Sequence, residues 1–110
     1  MKNLKRIRAF NKVTDAKKFV RDILRQKLKE KVKKLKISKE NILKNTRDEF
    51  YAEMGKRTIH LVIDNDSDNR EVTFRLSQLK GIYYETLKFY RIRQTEKGKW
   101  IVYEEKGYKF

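Results

Sequence analysis

Asp64, Asp66 and Asp68 stand at alternate positions, the spacing with which a calcium-binding loop begins. Such a loop requires glycine at its sixth position and a bidentate glutamate at its twelfth, and here those places hold Asn69 and Arg75. The stretch Asn65-Asp66-Ser67-Asp68-Asn69 therefore reads as a solvated turn between strands. His60 is the single histidine, with no second nitrogen or sulfur ligand near it in sequence. It reads as a strand residue on a polar or interface face, because a general base needs a cleft and a partner. There is no cysteine to make a disulfide or ligate zinc, and four glycines leave little material for a phosphate-cradling loop. No nucleophile elbow or His/Glu metalloprotease motif is present. No catalytic residue, metal or cofactor is expected, and the chemistry left to the chain is that of charge.

That charge is concentrated. The chain carries a formal +15, yet residues 1–36 alone hold 15 Lys or Arg against Asp15, Asp22 and Glu30. The remainder is close to balanced, with 15 bases and 12 acids. Within the basic segment, Lys17, Arg21, Arg25, Lys29 and Lys33 recur every four residues. Like charges at that helical spacing repel by roughly 0.2–0.5 kcal/mol per pair, so the row is not there to stabilise a free helix. It matches a polyanion instead, and nucleic acid is the expected partner.

The element that must carry this row is a helix over residues 14–37. Thr14 can cap it and Asp15 suits the positive end of its dipole. Ala16, Val20, Leu24, Leu28 and Val32 form an apolar row, with Phe19, Ile23 and Leu35 beside it. That face is expected to pack on a sheet or on the same helix of a second copy, giving a homodimer. Residues 1–13 place Leu4, Ile7, Phe10 and Val13 at three-residue spacing among five bases, which permits a short helix or a basic arm that orders on a phosphate backbone. Ser38 can cap a short helix over Lys39–Asn45. Thr46-Arg47-Asp48-Glu49 has the capping-box pattern and would open another helix, closed by Gly55. From Arg57 the apolar period falls to two, which predicts strands over Ile59–Ile63, Glu71–Leu76, Thr86–Gln94 and Trp100–Glu104. Ser77 to Gly81 reads as a helical turn or a bend.

Eight of the thirteen aromatics lie after residue 80, interleaved with bases. Phe89 and Trp100 are expected in the core. Arg91, Arg93, Lys97 and Lys99 would then stand at or near a hairpin tip, as a wing that touches phosphates. Tyr90-Arg91-Ile92-Arg93 followed by Trp100-Ile101-Val102-Tyr103-Glu104 resembles the last strands of RelE-type ribosome-dependent RNase toxins, over about fifteen residues. The resemblance implies RNA cleavage lost on substitution of Arg91 or Arg93. That family opens with a strand before its helices, whereas this chain reads as opening with a basic helix, so the enzyme stands as an alternative.

The expected fold is α+β: a basic arm over 1–13, then one domain over 14–110. That domain has a long basic helix, two short helices and an antiparallel sheet of about four strands, in an order like that of winged-helix domains. The expected function is non-enzymatic nucleic-acid binding, with duplex DNA ahead of RNA and an RNA-binding or ribosome-associated protein as an alternative. Phosphate contacts would come from Lys17, Arg21, Arg25, Lys29, Lys33, Arg91, Arg93, Lys97 and Lys99. Binding to an acidic protein or an anionic membrane surface through the amphipathic helix is a further alternative. No apolar run is long enough to span a bilayer and the N-terminus lacks the apolar core of a secretory signal. A cytoplasmic site on nucleoid or mobile-element DNA is expected, and the Lys, Asn and Ile richness without proline suits an AT-rich bacterial, phage or plasmid source.

Overall fold

The computed structural model describes residues 3–34, 40–45 and 48–108, with the backbone alone at 31–34, 40–45 and 54. The chain runs β1 (Leu4–Phe10), α1 (Val13–Lys34), β2 (Glu40–Asn45), β3 (Glu49–Met54), β4 (Arg57–Asp66), β5 (Glu71–Lys80), β6 (Tyr83–Gln94) and β7 (Trp100–Glu105). All seven strands form one antiparallel sheet in the order β1-β7-β6-β5-β4-β3-β2. Strands β2 to β7 are a continuous meander, and β1 closes against its last strand. Helix α1 lies on one face of this sheet and carries the chain from the β1 edge to the β2 edge.

That journey sets the helix length. Six inter-strand steps of about 4.8 Å make a sheet about 29 Å wide, and 22 helical residues at 1.5 Å each reach about 33 Å. Ala16, Val20 and Leu24 are fully buried and Leu28 nearly so. They meet an alternating set from the sheet: Phe50 and Ala52, Ile59, Leu61 and Ile63, Val72, Phe74 and Leu76, Tyr90 and Ile92, and Val102. Each fully buried large apolar side chain contributes roughly 1.5–3 kcal/mol, so this interface is what holds the helix. The apolar face offered to a second copy in the sequence reading is therefore covered by the chain's own sheet.

The fold differs from the α+β order expected. Among the described residues α1 is the sole helix; the segments read as two short helices are strands β2 and β3, and the winged-helix order does not occur. The cause at β3 is visible. Phe50 and Ala52 are buried while Tyr51 and Glu53 point the other way, and all six residues pair with β4, from Glu49↔Val62 to Met54↔Arg57. A capping box offers about 1 kcal/mol of local preference, which a six-residue ladder with two buried side chains outweighs. Gly55, at φ 64°, opens the two-residue turn into β4 and does not close a helix. The helix expected over 14–37 is described over Val13–Lys34, and residues 35–39, including the Ser38 cap, lie outside the described residues.

The expected four strands are longer than their apolar patterns. Strand β5 continues through Ser77 to Lys80, with a bulge between Leu76 and Ser77, where a turn or bend was anticipated. Leu4–Phe10 of the basic arm pairs along β7, from Leu4↔Glu105 to Phe10↔Trp100, with a bulge between Arg6 and Arg8. The bulge sets Ile7 out of register and leaves it exposed, so the three-residue apolar spacing there does not trace an inward strand face.

Candidate nucleic-acid interface

A row one residue after the buried row is turned about 100° around the helix axis. Lys17, Arg21, Arg25 and Lys29 consequently sit at the rim of the buried face, on the side of β3 and β4. Lys17 is pinned there: its Nζ donates to Asn65 Oδ1 at 2.9 Å, lies 3.6 Å from Asp48 Oδ1, and the side chain is only 12% exposed. Arg21 is half-buried, whereas Arg25 and Lys29 are exposed. The Arg25 guanidinium stands 5.9 Å from the Phe50 ring centroid, a cation–π position. Lys33 is on the same helix, with its side chain outside the described set. The outermost face of α1 carries the mixed row Lys18, Asp22, Gln26 and Glu30, all exposed.

The opposite flank of the helix faces β1. Phe10 and Phe19 pack with centroids 5.3 Å apart, and the Arg8 guanidinium lies 5.0 and 5.6 Å from their rings. Arg8 thus packs by its body and presents its charge at the edge strand, beside exposed Lys5 and Arg6.

The hairpin bases divide into two pairs with different surroundings. Arg91 and Arg93 lie on the sheet face away from α1 and share one carboxylate. Arg91 Nη1 is 3.2 Å from Glu71 Oε1, and Arg93 Nε donates to Glu71 Oε2 at 2.7 Å. They are mid-strand residues opposite Tyr103 and Ile101, so the tip position expected for them is not where they stand. Lys97 and Lys99 do occupy the β6–β7 turn and are exposed. Thr95 accepts there from Gly98 N–H at 2.9 Å, with Gly98 at φ 86°. Lys99 Nζ donates to Asn11 Oδ1 of the β1–α1 link. Arg6, Lys97 and Lys99 line one open depression of about 630 Å³ with Ala9 and Ile101. The arm and the hairpin are thereby brought together, a juxtaposition that sequence spacing alone does not show.

The acidic turn is occupied with its own backbone. Asp66 accepts from Asn69 N–H at 3.2 Å and from Asn69 Nδ2 at 2.7 Å, and these bonds hold its carboxyl below the usual range. Arg70 takes the left-handed position of the turn, at φ 50°.

The uncovered face of the sheet holds His60, a strand residue on that face as expected, together with aromatic neighbours that the sequence did not reveal. His60 Nε2 is 2.8 Å from Glu49 Oε1. Its ring meets Tyr51 edge-on at 5.3 Å and Tyr84 at 5.4 Å. The Tyr84 phenol is pushed above its ordinary range, first by its hydrogen bond with Tyr51 and then by desolvation. Tyr51 was hidden because residues 46–55 carry helix-start signals; once β3 is a strand, alternation places Tyr51 opposite His60. Comparison with protein-family models, curated proteins and solved structures returns no match.

Proposed function

We propose that this chain is a non-enzymatic nucleic-acid-binding protein that holds the phosphate backbone of duplex DNA. The reading rests on one observation: the apolar row of α1 is spent on the sheet, while the segment containing it has 15 bases against three acids. The described bases of that segment are therefore carried largely by β1 and α1, elements built into the folded body. An amphipathic helix that binds lipid needs its apolar face free, and this one is committed to the core. No described helix is long and apolar enough to cross a membrane.

Arg21, Arg25 and Lys29 on the helix rim and Arg6, Lys97 and Lys99 at the β6–β7 turn are the proposed phosphate contacts. Contacts of this kind give affinity and register, with little sequence information. The test is a shift assay with random duplex at several salt concentrations. The slope of log affinity against log salt should be about −0.9 per phosphate neutralised. Charge reversal at Arg25 and Lys29 should reduce the slope by about one unit each. An affinity indifferent to salt would overturn the proposal, and RNA cleavage by the purified chain would replace it with the enzyme reading.

A further inference from the structure

From the sheet face that α1 leaves uncovered, we infer a second site, one that stacks unpaired bases of single-stranded DNA. This rests on the reading that the partner is nucleic acid, and adds to it a surface that duplex cannot use.

The face of an antiparallel sheet turned to water is ordinarily polar. Here Tyr51, His60, Tyr84, Phe89 and Tyr103 project from neighbouring strands on that face, as the register requires. No second layer covers them among the described residues. Tyr84 is 45% exposed, and Tyr83 and Ile82 beyond it at the β5–β6 turn are 62% and 100% exposed. Between Tyr84 and Phe89 lies a depression of about 250 Å³, lined also by His60, Val62, Thr73, Arg75 and one carboxylate, Asp64. Pockets for drug-sized ligands run from roughly 300 to 1,000 Å³, so this one suits a single planar ring better than a whole cofactor.

The groups around the depression fit a nucleotide. Aromatic walls supply stacking for any base. The hydroxyl of Thr73 and the buried Ser77 offer hydrogen bonds to a base edge. Arg75 is exposed, and its guanidinium stands 6.0 Å from the Phe89 centroid, with Arg91 at 5.5 Å. Arg91 shares Glu71 with Arg93, whereas Arg75 forms no ion pair among the described residues and is placed to meet a phosphate. In a duplex the faces of the bases are stacked on one another, so a sheet of aromatics requires a strand whose bases are free.

The sole histidine makes the site directly observable, since the one imidazole signal in a proton NMR spectrum of the full chain belongs to His60. Titration with deoxythymidine monophosphate should shift that signal, and an unmoved signal up to millimolar nucleotide would overturn the site. Fluorescence polarisation then compares labelled oligothymidylate with random duplex. Tyr84→Ala should weaken single-strand binding about tenfold and leave duplex binding within about twofold. Arg25→Glu should weaken duplex binding in the parent and in the variant alike. Equal losses on both polymers for Tyr84→Ala, or none, would overturn the site, as would tighter binding of oligouridylate for its assignment to DNA. If duplex fails to bind while the His60 signal still shifts, the duplex proposal falls and the stacking site stands. Exposed Tyr84 can be truncated without opening the core, and a retained, dispersed spectrum verifies that the variant is folded.

Discussion

Glu71 shows how a single carboxylate reassigns two cations. Arg91 and Arg93 both pair with it, so one of their two positive charges is offset within the fold. Glu71→Gln should free them, steepening the salt dependence of nucleic-acid binding while lowering stability by about 2 kcal/mol, between the values for exposed and buried pairs. Polymer affinity and a urea midpoint measured on the same variant check both signs. Tyr90 is the other informative residue. It is fully buried, donates to Glu104 Oε2 at 2.6 Å, and its phenol is pushed far above the ordinary value near 10, chiefly by burial and then by that bond. Below pH 10 both folded and unfolded chains keep the proton, so its contribution to stability is fully present. Above pH 10 the unfolded chain releases the proton first, and stability falls as pH rises. Tyr90→Phe should flatten this alkaline decline, as measured by urea midpoints between pH 8 and 11. Neither arrangement could be read from spacing, because Glu71 and Glu104 reach their partners across the sheet and not along the chain.

At the level of elements, helix α1 and the paired strands β4 to β7 were legible, and β1 to β3 were not. The readable ones advertise themselves by an unbroken period: four-residue steps from Ala16 to Leu28, two-residue steps from Ile59 to Ile63 and from Val72 to Leu76. The bulge after Arg6 disrupts the period of β1, and only Phe50 and Ala52 mark the inward face of β3. There the local cap signals of Thr46 and Glu49 spoke louder than the ladder, whose partners lie 3 to 13 positions further along in β4. The α1–sheet interface predicts the largest stability effect. Leu24→Ala should cost about 2–5 kcal/mol, seen as a reduced urea midpoint with an unchanged slope. Leu24 is buried against the sheet and is not itself a proposed phosphate contact, so the folded fraction should keep its affinity for duplex. The candidate site follows the same division: the helix row is visible in the sequence by its steps of four, whereas Arg6, Tyr51 and Tyr84 meet their neighbours only through strand pairing.

The whole molecule closes on itself between its first strand and its last. Phe10 of β1 pairs with Trp100 of β7, and the strands between form a meander whose other edge is β2. The exposed Lys5, Arg6 and Arg8 and the bulge make β1 a poor template for another chain, as edge strands require. Trp100 is the single tryptophan, so its fluorescence reports this closure. In stopped-flow refolding it should change no faster than the far-ultraviolet signal of the meander, because pairing over so long a loop follows local contacts.

The same pairing has a consequence during synthesis. Phe10 emerges about 90 residues before its partner Trp100, an interval of roughly 5–18 s at 5–20 residues per second. Throughout it the ribosome carries a nascent polycation whose apolar row has no finished sheet to lie on. Strand β1 must therefore wait for β7 before it can join the sheet.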